Sequence, residues 1–359
     1  MFFKKLWSNI LGTQKEQSTQ DQLSLAIQAF WKQVKTSEQS FNKLELIDIM
    51  ETLNNLLNEN QLDVIAEVTQ GSKKNHKIIF TSDGKIEQFE QVMEITKQAP
   101  DLNFFEIEAF RQRTKNVDSF TIQLRDDSFS LGTTDLLIQY KKDHRKISLG
   151  ILFGKTIPEE MLTQAQTMAL IILDHILGEY DLAVRVVAIE FLEVAQDTVT
   201  TMPANEFVTI FDSIWKEDLK HTGVFPNNEE DQWTVFELAS HNESNGNMLV
   251  HRNEAANALV GHTNYCYALN IIADVNSKAV LSLVYELEDA INIALCTDKR
   301  GIHCQNSFSQ GTRNMLWHVG DKHLALQLAQ QIAKQYKTLS VKIECNFDPY
   351  WSQYLSWVE

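Results

Sequence analysis

The chain has 359 residues, of which 43% are hydrophobic and 22% are charged, a composition that excludes a largely disordered protein. This length predicts two domains, each able to bury a core of its own. The formal net charge of -16 argues against nucleic acid as a partner, because such binding depends on clustered Lys and Arg that neutralise phosphates. A basic protein surface is the more natural partner for this charge. Most of the acidic excess lies before residue 232, which places electrostatic steering in the first part of the chain.

Cysteine usage and hydropathy predict the compartment. All the cysteines lie in the last third of the chain, without the density or regular spacing of a disulfide framework, and they are Cys266, Cys296, Cys304 and Cys345. No apolar run reaches the ~18 residues that cross a bilayer, and the N-terminus lacks the apolar stretch and cleavage site of a signal peptide. These features predict a cytoplasmic protein.

Residues 1–20 are predicted to be an amphipathic segment that ends in a polar tether over residues 12–20. Apolar residues recur there at helical spacing with Lys4 and Lys5 between them, a pattern typical of helices that lie on a membrane surface. A short helix that packs on its own protein or frays is the simpler explanation of the pattern. Weak peripheral membrane contact would be made by Phe2, Phe3, Leu6 and Trp7.

A first α+β domain is predicted over residues 21–195, as a sheet covered by helices. It opens with helices around 21–35 and 42–58, the second with a core stripe of Leu44, Ile47, Met50, Leu53 and Leu57. Strand patterns follow at 64–68, 77–80, 105–111, 120–124, 136–140 and 146–153, with a turn at Ser82-Asp83-Gly84 that leads into a helix.

The end of this domain shows a capped helix and a long apolar run. Thr156 and Glu159 have the spacing of a capping box, and Gly178 marks the end of the helix. The run Leu182–Leu192 is rich in Val and Ile and predicts a buried strand.

Residues 196–231 are predicted to be a linker that contains a docking helix from Phe207 to Trp215. The second domain, 232–359, reads as a hairpin around Asn245-Gly246 followed by a βαββαβ pattern, which is a ferredoxin-like layout. Asp321 is the predicted cap of its second helix.

Four short segments of this second domain, taken in order, resemble a known family. They are Trp233-Thr234-Val235-Phe236, the run Gly261–Tyr267, Gly311-Thr312-Arg313 with the strand after it, and the terminal Asp348–Tyr354. Together they resemble the bacterial domain-of-unknown-function family 695 over roughly residues 231–359, while the N-terminal part stays unassigned. No activity is assigned to that family, so the resemblance implies none for this chain. Members of that family are sometimes joined to domains similar to an acidic, ferredoxin-like inhibitor of ribonuclease E, which implies a ribonuclease-inhibitor-like or immunity-type protein as one alternative.

Two candidate ligand sites are weak on sequence grounds. Gly154-Lys155-Thr156 follows a strand and opens a helix, but Gly150 is one residue too close for a phosphate loop. The cysteines and His303 suit zinc by ligand type, yet no Cys-x-x-Cys pair occurs, and His303 and Cys304 should point to opposite faces of one strand. No cofactor and no metal are therefore predicted.

Catalytic patterns are also weak. Cys304 lacks a nucleophile elbow, and the carboxylates Glu286, Glu288 and Asp289 read as the solvated face of a helix. The sequence favours a non-enzymatic protein-binding or regulatory module, and the alternative is a hydrolase or small-molecule-binding enzyme with a site in the interdomain cleft. The candidate binding residues are His262, Arg252, Arg313 and Trp351.

Overall fold

The computed structural model of the chain describes residues 2–124, 128–143, 146–196, 199–227, 232–238 and 247–356, with side chains from residue 22 onward except that of Asp143. Helices and sheets are both abundant, which confirms the predicted α+β class. The chain forms two compact units, Met1–Leu136 with Phe153–Ala183, and Leu137–Leu152 with Val184–Glu359. The predicted domains at 21–195 and 232–359 stay a prediction. The boundaries of the two units differ from them, since residues 137–152 and 184–195 belong to the second unit.

The first unit is built on a small mixed sheet and its helices. Its elements are α1 (Phe2–Phe41), α2 (Leu46–Glu59), β1 (Ile65–Gln70), β2 (His76–Thr81), α3 (Phe89–Lys97), β3 (Phe105–Ala109), β4 (Thr121–Gln123), β5 (Ser130–Gly132) and α4 (Leu162–Leu177). Strand β2 pairs antiparallel with β1 and parallel with β3, and the parallel pair is joined by the crossover helix α3. A T-shaped cluster of Phe30, Trp31 and Phe80 lies in the core between α1 and the sheet.

Helix α1 differs from the prediction for the N-terminus. The backbone is helical through residues 12–20, where the sequence predicted a tether, because this stretch contains no proline and several good helix formers. The side chains of Phe2, Phe3, Leu6 and Trp7 lie outside the described residues, so their membrane contact stays a prediction. Within the described part of the chain, no helix is long and apolar enough to cross a membrane.

The buried face of α2 is rotated from the predicted stripe. Ile49, Leu53 and Leu57 are fully buried, whereas Leu44 and Ile47 are 40% and 51% exposed. Helix α2 begins at Leu46, so Leu44 precedes it, and Ile47 projects away from the face that the buried residues share.

The turn after β2 forms as predicted. Asp83 and Gly84 have φ values of 55° and 80°, a left-handed pair that Asp and Gly tolerate well, and Lys85 N donates to Ser82 O at 3.3 Å. The predicted capping box at Thr156 is wrong. Helix α4 begins at Leu162 after a 3₁₀ turn at Glu159–Met161, and Pro158 precedes that turn without a side-chain cap.

The prediction of one buried strand at Leu182–Leu192 is also wrong. A short helix, α5 (Glu179–Arg185), covers the first part of the run, and the strand that follows contains only exposed and half-buried residues. A run of mostly apolar residues does not by itself distinguish a helix end from a strand, so the tertiary contacts decide.

The second unit contains two sheets. Its elements are β6 (Leu136–Asp143), β7 (Lys146–Phe153), β8 (Val186–Phe191), β9 (Thr201–Pro203), α6 (Ala204–Ser213), β10 (Trp233–Leu238), β11 (Met248–Asn253), β12 (Tyr267–Asp274), α7 (Lys278–Cys296), β13 (Gly301–Ser309), β14 (Thr312–Val319), α8 (Lys322–Ala333), β15 (Val341–Phe347) and α9 (Ser352–Leu355). The smaller sheet has the order β8-β7-β6-β9. Helix α6 packs on it through Phe207, whose ring centroid lies 5.6 Å from that of Tyr140.

The larger sheet has the strand order β10-β11-β13-β14-β12-β15 and is antiparallel throughout. Helix α7 connects β12 to β13 and α8 connects β14 to β15, with Ser277 and Asp321 as their N-caps. This is the predicted succession of a hairpin and a βαββαβ pattern, and the ferredoxin-like assignment itself stays a prediction. The predicted turn at Asn245-Gly246 lies outside the described residues.

The two faces of the larger sheet are covered by different parts of the chain. Helices α7 and α8 pack on one face. On the other face lies a buried cluster that contains Cys304, Trp351 and Tyr354, with the 3₁₀ segment Glu254–Leu259. His303 instead stacks on Trp317 beneath α7, so His303 and Cys304 do point to opposite faces.

Candidate functional site

A cavity of about 500 Å³ lies in the second unit, on the helix-covered face of the larger sheet beside α7. Helix α7 contributes Tyr285, Glu288, Asp289, Asn292, Ile293 and Cys296, which recur at three- and four-residue steps and so share one face of the helix. The strands contribute Trp233, His251, Asn253, His303, Asn306 and Arg313.

Strand register brings the sheet residues onto one face. Trp233 pairs with Asn253 across β10 and β11, and His251 pairs with Asn306 across β11 and β13. Directly paired residues project to the same side of a sheet, so these side chains form a continuous surface beside α7.

The floor of the cavity holds a buried ion pair. Arg313 Nη2 lies 2.7 Å from Glu288 Oε2, and the Nε of the same arginine donates to that oxygen at 3.2 Å. Asn306 Nδ2 donates to the other carboxylate oxygen at 2.8 Å. Glu288 is 9% exposed, so its predicted place on a solvated helix face is wrong, whereas Glu286 and Asp289 are exposed as predicted.

His303 extends this network. Its Nε2 lies 3.0 Å from Asn306 Oδ1, and its ring stacks on Trp317 at 4.4 Å with an angle of 14°. Trp317 in turn donates from Nε1 to Asn292 Oδ1 at 2.7 Å. A floor whose polar groups are hydrogen-bonded to one another is held in a fixed geometry.

The walls of the cavity are apolar and open to solvent. Trp233 is 40% exposed, Tyr285 is 47% exposed and Ile293 is 70% exposed. The guanidinium of Arg313 lies 4.8 Å from the centroid of the Tyr285 ring, and the rings of Trp233 and His303 form a T-shaped pair with centroids 4.9 Å apart. Large apolar side chains that gather around a cavity on a protein surface are typical of binding sites.

Some of the charged side chains that line the cavity are paired with each other, and one is not. Glu288 and Arg313 neutralise each other. Asp289 lines the same cavity, is exposed, and has no ion pair or hydrogen bond among the described residues. The cavity therefore presents one uncompensated negative charge beside its aromatic walls.

The structure separates the candidate residues predicted from the sequence. Only Arg313 lies in the cavity. Arg252 is 3% exposed on the opposite face of the sheet, where its guanidinium lies 4.1 Å from the centroid of the Tyr354 ring. Trp351 is fully buried on that face and stacks on His318 at 3.8 Å.

His262 has a local structural role. Its Nδ1 accepts a hydrogen bond from Asn264 N at 3.1 Å and so caps the 3₁₀ turn Thr263–Tyr265. The four predicted binding residues therefore do not form one site. The residues that line the cavity, above all Trp233, Tyr285 and Asp289, were not predicted as a group. Their one sequence signal is the four-residue spacing of Tyr285, Asp289 and Ile293 on a helix whose core stripe lies elsewhere.

Burial disfavours chemistry on the opposite face of the sheet. Burial raises the pKa of the Cys304 thiol well above its usual range, and the backbone hydrogen bond from His318 opposes this only partly. A thiol with a raised pKa is a poor nucleophile and a poor metal ligand. Burial also lowers the pKa of His318, while Asp348 nearby acts in the other direction.

The other candidate ligand sites are occupied by internal contacts or lack ligands. Lys155 Nζ lies 2.9 Å from Asp135 Oδ2 and 2.6 Å from Ser130 O, so this lysine is held by the protein itself. Over the residues that the structure describes, no group of three or more His, Cys, Asp or Glu side chains could hold a metal ion.

Comparison with known proteins gives no family for this chain. No protein-family model, curated protein or solved structure matches it. The resemblance to the domain-of-unknown-function family 695 accordingly stays a prediction, and the functional argument depends on the geometry of the cavity.

Proposed function

We propose that this chain is a non-enzymatic protein-binding module that holds its partner at the cavity beside α7. The observation that carries the proposal is the combination of exposed Trp233 and Tyr285 with a fixed polar floor around Arg313. Trp, Tyr and Arg are the residue types that dominate binding energy at protein interfaces, where they cluster in desolvated pockets near the centre. A cytoplasmic location and a partner with a basic surface belong to this proposal.

The polar floor supports recognition better than catalysis. A general base needs a carboxylate or imidazole that is free to take a proton from a substrate. Glu288 instead accepts hydrogen bonds from Asn306 and Arg313, and the Nε2 of His303 is paired with Asn306. Groups that already satisfy one another keep the cavity rigid for a partner.

An enzyme is the competing proposal, and one observation favours it. His251, His303 and Glu288 line the same cavity, and His303 Nδ1 lies 3.8 Å from Glu288 Oε1. Imidazole and carboxylate groups in one cavity are the usual components of acid–base chemistry. A ribonuclease-inhibitor-like or immunity-type role would be a special case of protein binding at this surface.

Site-directed photo-crosslinking in cells of the source organism tests the proposal. A photoreactive amino acid replaces Tyr285 in one variant and Glu286 in a matched control, since the two positions are adjacent on α7 and both exposed, but only Tyr285 lines the cavity. We expect a discrete cross-linked protein from position 285, much less from position 286, and loss of the product when W233A is added.

Two outcomes would contradict protein binding. Equal cross-linking from both positions would mean that the cavity is not the interface. If position 285 gives no protein adduct, while a small metabolite raises the melting temperature of the wild-type chain and not that of W233A, the enzyme proposal gains.

A further inference from the structure

We infer that the cavity binds a cationic side chain, arginine or lysine, from an extended segment of the partner protein. This inference rests on the proposed protein-binding function and specifies the chemistry of the partner. The head group of the cation would lie at Asp289, and the aliphatic part of its side chain would lie against the aromatic walls.

The unpaired carboxylate supplies the charge complementarity. Among the described residues that line the cavity, Arg313 is the one with a permanent positive charge, and it is already paired with Glu288. The Asp289 carboxylate is the charge left over, so a positive group on the partner completes the site, whereas a negative group would meet repulsion.

The aromatic walls favour a cation that carries an apolar stem. Tyr285 precedes Asp289 by four residues on α7, so the ring and the carboxylate are neighbours on one helix face. Trp233 is 40% exposed, and Tyr285 is 47% exposed although the guanidinium of Arg313 lies 4.8 Å from the centroid of its ring. The exposed surface of these rings suits the apolar stem of a cationic side chain. Arginine and lysine both bury a methylene stem against such surfaces while the charged head reaches a carboxylate.

The size and rim of the cavity favour a segment over an isolated side chain. Its volume of about 500 Å³ lies in the range of sites that hold drug-sized ligands, so there is room for a cationic residue and a neighbour. Ile293 is 70% exposed at the rim, and Val235, which shares a sheet face with His251, is 54% exposed. These side chains suit an apolar residue next to the cation.

Selection from a displayed library of random seven-residue peptides tests this inference on the full chain. The library is selected at low ionic strength against wild type, D289N, E286Q and W233A. E286Q is the matched control, because Glu286 is an exposed carboxylate on the same helix that does not line the cavity. Selected peptides are then synthesised, and their Kd values are measured against each variant at 50 and 500 mM salt.

We expect peptides with Arg or Lys next to an apolar residue from both wild type and E286Q. D289N should weaken their binding about two- to five-fold, the usual effect of one solvent-exposed ion pair, and should remove most of the salt dependence. W233A should weaken binding by ten-fold or more, as the loss of an interfacial tryptophan commonly does.

The outcomes separate the inference from the function on which it rests. If peptides bind in a W233A-sensitive way but carry no basic residue, or bind D289N as tightly as wild type, the cation assignment is wrong and the binding function stands. If no peptide shows sensitivity to W233A and cross-linking at position 285 also fails, the proposed function is wrong.

Discussion

The pairing of Glu288 with Arg313 is the residue-level feature on which the cavity depends. The side chain of Arg313 is 8% exposed, so E288Q would leave a buried guanidinium without its countercharge. We expect E288Q to lower the free energy of unfolding by about 3 kcal/mol, since removing one member of a buried pair is strongly destabilising.

Urea unfolding followed by circular dichroism measures this effect. The matched variant E286Q alters an exposed carboxylate on the same helix and should change the free energy by less than about 0.5 kcal/mol. Equal losses in the two variants would show that the ion pair does not contribute to the stability of this sheet face.

Asp174 in the first unit gives a prediction about pH. Burial raises the pKa of this carboxyl to about 6, against the lowering effect of Arg111, whose Nη1 lies 2.8 Å away. The folded state therefore binds the proton more tightly than the unfolded state, in which an aspartate titrates near 4. Stability from this group is present at pH 4 and is lost as the pH rises through about 6.

The variant D174N removes this proton linkage. Relative to D174N, the wild-type chain should gain up to about 3 kcal/mol as the pH falls from 7 to 4, because a shift of one pKa unit corresponds to about 1.4 kcal/mol. Chemical unfolding at several pH values tests this, with D48N, an exposed aspartate on α2, as the control. A constant difference between wild type and D174N across this range would rule out the raised pKa.

At the scale of single elements, the N-cap hydrogen bond forms at the start of α7 but not at the predicted cap Thr156. Ser277 Oγ accepts from Val280 N at 3.3 Å at the start of α7, whereas Thr156 precedes an extended approach to α4 that includes Pro158. We expect S277A to cost about 1 kcal/mol and T156A less than about 0.5 kcal/mol. Thermal unfolding of both variants measures the difference in stability. An equal loss of stability in the two variants would indicate that Thr156 does act as a cap.

The elements that the sequence predicted best are those with both a cap and a clear apolar period. Helix α8 follows this rule, since Asp321 Oδ1 accepts from Leu324 N at 2.9 Å, as predicted. The apolar run Leu182–Leu192 has no capping or turn residue at its centre to mark where a helix ends and a strand begins. Its division into α5 and β8 depends on packing that the local sequence does not encode.

At the scale of the whole molecule, the second unit includes the neighbouring strands β6 and β7 from the middle of the chain. Strand β6 pairs with β9, and Tyr140 packs against Phe207 of α6, although β9 and α6 lie in the predicted linker. A fragment of residues 22–195 would therefore expose one edge of β6 and the apolar side chains that α6 covers.

We expect a fragment of residues 22–227 to melt at a higher temperature than the 22–195 fragment and to aggregate less. Both fragments lack the larger sheet, so the comparison isolates β9 and α6. Circular dichroism melts and size-exclusion chromatography test this. If the two fragments melt at the same temperature and elute as equally monodisperse species, residues 196–227 would act as the linker that the sequence predicted.

The sequence by itself determined the α+β class, most strands of the larger sheet and the N-cap of α8, because these depend on local periodicity and on the residue types at helix ends. It did not determine the cavity. Glu288 and Arg313 come together only because β13 and β14 lie beneath α7, and Trp233 joins them only because β10 is added beyond β11. Strand order decides which side chains share a face, and a non-consecutive order brings together residues that no local pattern connects.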